Sequence, residues 1–554
     1  MNMPFRLKAA ASTAIAFLLC IPALSCGTRG GGIRQAGLPR VGLKDGRLVA
    51  TSNGKPLTLR GVNLAFYLDV ASPEKYITEQ SIEDLADRGV NLVRICFHWR
   101  QVSRLPEECA WKPSGRAWLK RVVRWCADNG IYSVLDMHVP PGEEDIDPIT
   151  GEFWDSPENA DDLEALWNLI AGDFKNEPAL LGYDIFTEPA PPESEQWWDL
   201  AKRLVKSIER IDRRHLIIIE PDMNHEELRD IGDARVLYSP HYYEPMVVSH
   251  QGEYWYGDTP ARTDVTFPGE VPDELEYLSG ADPTESVSEP SDEWRSVGTT
   301  ATAPEGADVA MVSLFGWVGS TDAYFDDVSV TVNGEPRGVV NASMSEESEG
   351  RPGMPRAWFL TKEEASSFEA NWEPSEGHSE PGCLHVEGSG QWFSCGQDEG
   401  IQFDKVFIRV KPGDRVKVGA WVKAQTLSGE AGAAIDWCRE TFKAWNRRTL
   451  EKDVDRAFGD WAKKHNAAIF IGEFGSMSRP GDKSSTNLVS DMMSIWNERG
   501  YAWTIWCYRG EYIPPGSGSF GFGLINCPDE VSPDEGYTWR RELSDPWQSA
   551  LRQR

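Results

Sequence analysis

Two glutamates of this chain stand directly after apolar runs. Glu188 follows the run 180–186 and one threonine, and Glu473 follows the run 468–471 and one glycine. If both runs are strands of one parallel barrel, their carboxyl ends meet at the same face and deliver both carboxylates to it. Two carboxyl groups about 5 Å apart are what double displacement at the anomeric carbon of a sugar requires, one as acid and base and the other as nucleophile.

Other polar and aromatic residues end or follow apolar runs in the same way. An arginine and a tyrosine hydroxyl can hold a nucleophilic carboxylate ionised, histidines can bind sugar hydroxyls, and an indole face can stack on a pyranose ring. The residues of these types near the ends of the predicted strands are Arg94, His98, His138, His241, Tyr243 and Trp506. We therefore expect a sugar site at one face of the fold.

The elements that would position these residues alternate along the chain. Short apolar runs with the character of buried parallel strands are separated by amphipathic stretches. The predicted strands include 92–97, 133–137, 180–186, 216–219, 467–471 and 502–506, and the predicted helices of the second half lie at 439–465 and 487–498. The alternation predicts eight βα units, that is, an α/β fold of the (β/α)8 TIM-barrel type.

The segment between the two halves of this pattern has a different composition. It is rich in glycine, proline, serine and glutamate and carries short alternating runs such as 328–332. It predicts an all-β jelly-roll or β-sandwich domain that interrupts the barrel after its sixth strand. The expected organisation is a signal peptide at 1–26, a flexible tether at 27–38, a barrel at 39–268 and 438–554, and the inserted domain at 269–437.

The first residues predict export. Arg6 and Lys8 precede an apolar run at 9–19, which is the pattern of a secretory signal. Residues 23–26 resemble a bacterial lipobox, in which Cys26 would carry lipid and attach the protein to a membrane, and cleavage without lipid is the alternative. We expect a bacterial protein that is secreted or held at the cell surface as an outer-membrane or periplasmic lipoprotein.

Charge and cysteine spacing exclude several classes of partner. A net charge of −31 repels nucleic acid and favours a neutral substrate. The cysteines beyond Cys26 stand singly, without Cys-x-x-Cys pairs, so the sequence indicates no zinc site. We also expect no other metal and no cofactor. Cys383 with Cys395 and Cys507 with Cys527 are candidate disulfide pairs, although spacing does not determine connectivity. We expect a monomer.

The motifs resemble those of glycoside hydrolase family 5, the cellulase-type branch of the retaining TIM-barrel glycosidases. The segments that carry the resemblance are 59–63, Arg94, His138 in Asp-Met-His, Glu188 before Pro189, His241-Tyr242-Tyr243, Glu473 in Gly-Glu-Phe-Gly, and Trp506. The segment after Tyr243, with Trp255, resembles the loop after the sixth strand in bacterial endoglucanase-like members.

The resemblance implies roles for these residues. It makes Glu188 the acid/base and Glu473 the nucleophile, places Tyr243 and Arg94 beside the nucleophile, and places Trp506 under the sugar at the cleavage point. Thr187 departs from the family, which has asparagine there to bond the sugar 2-hydroxyl and the nucleophile. Because a threonine supplies no amide donor, we expect an altered turnover rate or an altered substrate.

The resemblance implies a retaining endo-hydrolase of a neutral β-linked poly- or oligosaccharide, most of all β-1,4-glucan. A mannanase, a β-1,3-glucanase or a transglycosylase would keep the same catalytic pair, and a surface glycan-binding protein with weak turnover is the alternative of another class. The predicted insertion resembles carbohydrate-binding modules with permuted strand order. It would either bind sugar or shape the cleft, and its candidate stacking residues are Trp317, Trp358, Trp372 and Trp392.

Overall fold

The structure is a computed structural model. It describes residues 37–66, 75–105, 108–143, 152–223, 227–253, 261–348, 353–397, 406–510, 512–514, 516–528 and 536–553. The predicted signal peptide, nearly all of the predicted tether, the lipidation candidate Cys26 and the candidate sugar-binding residue Trp255 lie outside these ranges. Among the residues that the structure describes, no helix combines the length and apolar character needed to cross a membrane.

Eight parallel strands form the predicted α/β barrel. In chain order they are Arg60–Ala65, Leu92–His98, Tyr132–Val139, Leu180–Asp184, Leu216–Ile219, Val236–Tyr238, Phe470–Ile471 and Ala502–Ile505. Neighbours along the chain are neighbours in the sheet, the first strand pairs with the eighth, and a bridge between Tyr238 and Ile469 joins the sixth strand to the segment that leads into the seventh. All eight are buried along their length, as expected for strands covered on both faces.

The helices cover the outside of the barrel through apolar faces. They are Glu79–Arg88, Trp99–Val102, Pro113–Asp128, Pro157–Phe174, Ser194–Ile211, Met246–Ser249, Arg447–Val454, Asp460–His465, Lys483–Arg499 and Arg541–Leu551. The first of them begins at a capping box on Thr78 and ends at Gly89, whose φ of +103° favours glycine. Ser194–Ile211 buries a stripe that includes Trp197, Leu204 and Ile208.

A short hairpin covers the amino-terminal end of the barrel. Strands Val41–Lys44 and Arg47–Ala50 pair antiparallel, and Val41 and Leu48 pack against the first residues of the barrel strands, such as Leu92 and Leu216. This end is therefore filled with apolar side chains. Polar groups collect at the opposite end, where the strands terminate.

The chain between the sixth and seventh barrel strands forms an antiparallel sheet of eleven strands with a hydrophobic core of its own. Its strands are Gly269–Ala281, Ser286–Val287, Ser291–Thr302, Val309–Val332, Glu335–Arg337, Phe359–Lys362, Glu369–Glu373, Cys383–Gly396, Ile408–Arg409, Arg415–Leu427 and Glu430–Trp445. Gly269 pairs with Trp445, so the first and last strands leave the barrel side by side. Two further pairs of short strands join Ser103–Arg104 to Glu108–Trp111 and Ile525–Asn526 to Thr538–Trp539.

Two sequence predictions in this region are wrong. The helix predicted from residue 439 begins at Arg447, because Glu430–Trp445 is one long strand that pairs with Gly269–Ala281. Cys383 and Cys395 lie twelve positions apart on one extended strand, a separation of about 40 Å at about 3.3 Å per residue, far beyond the reach of a disulfide.

The thiols of Cys507 and Cys527 form no disulfide in the described structure either. They hydrogen-bond to the backbone carbonyls of Arg509 and Pro528.

Candidate active site

The two predicted carboxylates meet at the carboxyl end of the barrel. A carboxylate oxygen of Glu188, one of Glu473 and a ring nitrogen of His241 all lie within 4.8 Å of one another. Glu473 comes two residues after the seventh strand, and Gly472 before it has no room for a side chain, since a Cβ there would lie 2.4 Å from the Ser239 hydroxyl. Glu188 has a φ of +45°, a left-handed conformation that costs a non-glycine residue about 1–3 kcal/mol.

Both oxygens of Glu473 accept a hydrogen bond. Arg94 donates from Nη1 to Oε1 at 2.6 Å, and the Tyr243 hydroxyl donates to Oε2 at 3.0 Å. Burial and the charge of Glu473 raise the pKa of Tyr243 well above its usual value, so the phenol keeps its proton and remains a donor. The two donors therefore fix the orientation of the Glu473 carboxylate.

Arg94 is fully buried at the centre of a group of acids. It donates from Nε to Asp184 at 2.8 Å and from Nη2 to Glu220 at 2.8 Å, and the same Nη2 lies 3.1 Å from Asp136. Burial alone would lower the pKa of this guanidinium, but the charges of Asp136 and Asp184 raise it well above its usual value. Arg94 therefore stays cationic and is shared among four carboxylates, the fourth being Glu473.

The Glu188 carboxylate lies against His241. The His241 Nδ1 is 2.6 Å from Glu188 Oε1. Burial would raise the pKa of Glu188, but the hydrogen bond and charge of His241 outweigh it and lower that pKa. Burial would likewise lower the pKa of His241, but the charges of Glu220 and Glu473 and the hydrogen bond to Glu188 raise it well above 6.5. Glu188 and His241 thus share a proton at neutral pH, and this proton lies on the His241 imidazole.

A second histidine and an indole form the wall beside the nucleophile. His138 Nδ1 lies 2.9 Å from Asp136 Oδ2, which orients the ring. The His138 ring stacks on Trp506 with centroids 5.4 Å apart and an interplanar angle of 13°. Trp506 is part of the apolar cluster that includes Tyr243 and Phe522 and keeps some exposed surface. The indole is thus held on the rim with part of its surface exposed.

Two groups of described side chains have the spacing of metal ligands. One is Cys96, Asp136 and His138, and the other is Glu188, His241 and Glu473. In both groups the carboxylates already accept hydrogen bonds from neighbouring side chains. A cation would have to displace those donors, so the arrangement suits acid–base chemistry better than metal binding.

Comparison with known proteins points to one family. Residues 50–305 match the model of the cellulase family, glycosyl hydrolase family 5. The matched segment is therefore similar in sequence to glycosyl hydrolase family 5. It contains Arg94, His138, Glu188, His241 and Tyr243, whereas the strand that carries Glu473 lies beyond it.

Curated relatives match somewhat more than a third of the chain. Endoglucanase C of Acetivibrio thermocellus is 29% identical over 224 residues, which are 38% of this chain and 65% of that protein. Cellodextrinase A of Ruminococcus flavefaciens is 23% identical over 212 residues, 36% of this chain and 62% of that protein. The chain therefore spans slightly less than two thirds of the length of these relatives. A solved structure described as an endoglucanase is 16% identical, with a TM-score of 0.46. The match covers 89% of this chain and 96% of the chain in that structure.

Thr187 takes the position of the asparagine expected from the family resemblance, and its hydroxyl is committed elsewhere. It donates to Asp136 Oδ1 at 2.5 Å and accepts from Arg94 Nη2 at 2.9 Å. Because the hydroxyl hydrogen is used in the bond to Asp136, Thr187 could only accept a hydrogen bond from a substrate. The side chain thus joins the buried network instead of presenting an amide to a sugar.

Sequence reasoning missed three acids of this site. Asp136, Asp184 and Glu220 all contact Arg94 and are buried. Glu220 follows the fifth strand directly, so the rule that identified Glu188 and Glu473 would also have found it. Asp136 and Asp184 lie inside strands, where apolar runs hide an inward-pointing acid.

His98, another candidate at the end of a barrel strand, has a structural role. His98 ends the second strand, but its Nδ1 accepts from the backbone N–H of Arg100, so it caps the short helix Trp99–Val102.

In the inserted sheet, Trp358 is fully buried and belongs to the core, whereas Trp317 and Trp392 are 38% and 39% exposed. Trp372 is partly buried, and its indole N–H donates to the Met344 carbonyl at 2.8 Å.

Proposed function

We propose that this protein is a retaining endo-β-glycosidase that hydrolyses a neutral β-glucan, most of all a β-1,4-glucan, by double displacement. The observation that carries the proposal is the approach of the Glu188 and Glu473 carboxylates to within 4.8 Å. Retaining enzymes hold their two carboxyl groups about 5–5.5 Å apart, whereas inverting enzymes leave about 6.5–9.5 Å for a water molecule. The separation supports a covalent intermediate.

Glu473 is the nucleophile in this proposal. Its oxygens are held by Arg94 and Tyr243, so the carboxylate has a fixed direction of attack. It would attack the anomeric carbon as the bond to the leaving oxygen breaks, and water would later release the sugar. Tyr243 and Arg94 would remain beside Glu473 both when the glycosyl ester forms and when water cleaves it.

Glu188 is the acid and base. It would give a proton to the leaving oxygen in the first step and take one from water in the second. His241 shares a proton with it across 2.6 Å, which keeps a proton available beside a carboxylate of low pKa.

The remaining wall residues suit a pyranose. Trp506, stacked on His138, would lie under the sugar at the cleavage point, and Thr187 would offer at most an acceptor to its 2-hydroxyl. The substrate assignment to β-glucan draws on the names of relatives, which include Endoglucanase C and Cellodextrinase A. Trp255 is proposed as a further sugar contact from the sequence alone.

The decisive measurement is product release from soluble β-1,4-glucan, mixed-linkage glucan, β-1,3-glucan and β-mannan. Wild type and Glu473→Ala would be compared, with the anomer of the first product read by proton NMR. We expect β-anomers from a β-1,4-linked glucan and no release by Glu473→Ala. First-formed α-anomers would contradict retention, release from mannan alone would change the substrate, and binding without release would favour a glycan-binding protein.

We propose that the inserted sheet, from Gly269 to Trp445, forms a sandwich domain that resembles a carbohydrate-binding module. The end predicted at residue 437 lies inside its last strand, Glu430–Trp445. Trp317 and Trp392 support this, because they are directly opposite on neighbouring strands and both are partly exposed. Side chains opposite each other across an antiparallel pair project from the same face, so two indoles side by side offer a surface for a sugar chain.

The location is a further proposal. We infer from the first residues that the protein is exported, with Cys26 as the site of lipid attachment, and that it acts as a monomer without a cofactor. Mass spectrometry of the mature amino terminus would distinguish a lipidated Cys26 from a plain cleavage product.

A further inference from the structure

Glu220 lies between the two elements that carry the proposed acid/base and its histidine. It follows the fifth strand, Leu216–Ile219, directly, and this strand is paired with the fourth on one side and with the sixth on the other. The fourth strand leads to Glu188 and the sixth to His241. The Glu220 residue is only 2% exposed, so an acid at this position is held by its neighbours and not by water.

Both oxygens of Glu220 are engaged. Oε2 accepts the backbone N–H of Glu188 at 2.7 Å, and Oε1 accepts Arg94 Nη2 at 2.8 Å. The same Oε1 lies 3.1 Å from His241 Nε2, and the other ring nitrogen of His241 is the one that contacts Glu188. Glu220 therefore contacts Glu188 in two ways. It accepts the backbone N–H of Glu188 directly, and it reaches the Glu188 carboxylate through His241.

We propose that Glu220 is a positioning residue, which fixes the acid/base Glu188 from two sides, through its backbone N–H and through His241. The inference rests on the proposed function. One contact restrains the peptide unit that leads into the left-handed Glu188 conformation, with its φ of +45°. The other sets which nitrogen of His241 faces the Glu188 carboxylate, since Nε2 is directed toward Glu220.

The charge of Glu220 also sets where the shared proton lies. Three carboxylates face His241: Glu188 at 2.6 Å, Glu220 at 3.1 Å and Glu473 at 3.8 Å. The cation nearest to them is Arg94, which Glu220 and Glu473 both contact. Glu220 is the first of the charges that raise the pKa of His241, so its removal lowers that pKa and leaves the His241–Glu188 pair without its proton at a lower pH.

The test compares two aryl β-cellobiosides that differ in their need for an acid. A 2,4-dinitrophenyl leaving group departs without protonation, whereas a phenyl group requires it. We expect Glu220→Gln to lower kcat/KM for the phenyl glycoside by about 100-fold, the size of a lost acid catalyst, and to change the dinitrophenyl glycoside much less. Glu220→Asp keeps the charge but is too short to reach both partners, so the same selective loss is expected.

Asp222→Asn is the matched control. Asp222 is another buried acid of the same segment, but it accepts a hydrogen bond from Ser194. We expect this variant to hydrolyse both glycosides at nearly the wild-type ratio. An equal loss on both glycosides in the Glu220 variants would overturn the inference, because a general loosening of the rim has no preference for a leaving group.

Two further readouts separate positioning from mere structural support. In Glu220→Gln the basic limb of the kcat/KM profile should move to lower pH, and the His241 ring, followed by NMR, should titrate at lower pH than in wild type. An unmoved His241 titration would overturn the inference whether or not the protein turns over. If wild type cleaves neither glycoside nor any glucan, the proposed function fails, which the NMR titration distinguishes from failure of the Glu220 contact.

Discussion

The barrel rim and the inserted sheet both bury a glutamate beside arginine, but with opposite charge balance. On the rim, Glu473 shares Arg94 with three other carboxylates. In the inserted sheet, Glu440 lies between two arginines, Arg262 and Arg409. An acid with its own arginines is part of a structural ion pair, whereas several acids grouped around one arginine form an arrangement that perturbs protonation and suits catalysis.

The barrel rim and the inserted sheet also differ in which side chains they place at the surface. On the rim the polar groups are buried and bonded to one another, and the indole of Trp506 is backed by His138. On the inserted sheet the core is apolar, and the partly exposed indoles of Trp317 and Trp392 lie at the surface. Under the proposed function, the rim would act on a bound sugar and the two indoles of the sheet would bind one.

The largest expected difference between the two regions concerns their glutamates. Glu473→Ala should lower hydrolysis by on the order of 10⁴-fold or more, since it removes the group that forms the intermediate. Glu440→Gln should leave the rate nearly unchanged while lowering stability. Initial rates on soluble glucan check both variants, and azide should restore turnover to Glu473→Ala alone. A comparable loss of rate in Glu440→Gln would remove the distinction between the two sites.

The arginines provide the next comparison, through stability. Arg94→Lys should lower the free energy of unfolding by about 3–5 kcal/mol, because a lysine cannot replace the planar donors that hold several buried acids. Arg409→Lys, on a side chain that is 45% exposed, should cost less than about 1 kcal/mol. Urea unfolding followed by tryptophan fluorescence measures both. Similar losses would mean that the two ion-pair groups are energetically alike.

Thr187 sharpens the account of the rim itself. Thr187→Asn should raise kcat/KM on β-glucan by roughly 10-fold, because an amide could donate to the sugar 2-hydroxyl, a bond that strengthens in the transition state. Thr187→Ser is the control, since it keeps the hydroxyl that donates to Asp136. No gain, or a loss, with asparagine would indicate that the rim is adapted to another sugar.

The smallest expected effect lies on the inserted sheet. Trp317→Ala with Trp392→Ala should weaken binding to insoluble glucan by about 10-fold or less and leave turnover of a soluble substrate unchanged. Tyr277→Ala removes another exposed ring, 62% accessible, and should not change binding. Pull-down isotherms on cellulose compare both variants with wild type. If the tryptophan variant bound as well as wild type, the sheet would have to contribute in some other way.

The sequence predicted the barrel and its rim because both follow local rules. Apolar runs marked the strands, and Glu188, Glu473, His241 and Tyr243 stood just beyond them. Asp184 escaped because it lies within a strand, and the length of Glu430–Trp445 escaped because charged residues such as Arg439 and Glu440 resemble a helix when their strand partner is unknown. Local pattern reports where a chain turns, but pairing over long distances decides how far a strand extends.

The order of the chain gives the Gly269–Trp445 pairing a consequence for synthesis. The segment with Glu188 leaves the ribosome first, and the strand before Glu473 follows only after the whole inserted sheet has been made. When Gly269 and Trp445 pair, they bring the two halves of the barrel to within one strand spacing, which removes most of the entropy cost of closing a long loop. Glu188 and Glu473 can therefore come together only after the whole inserted sheet has been synthesised.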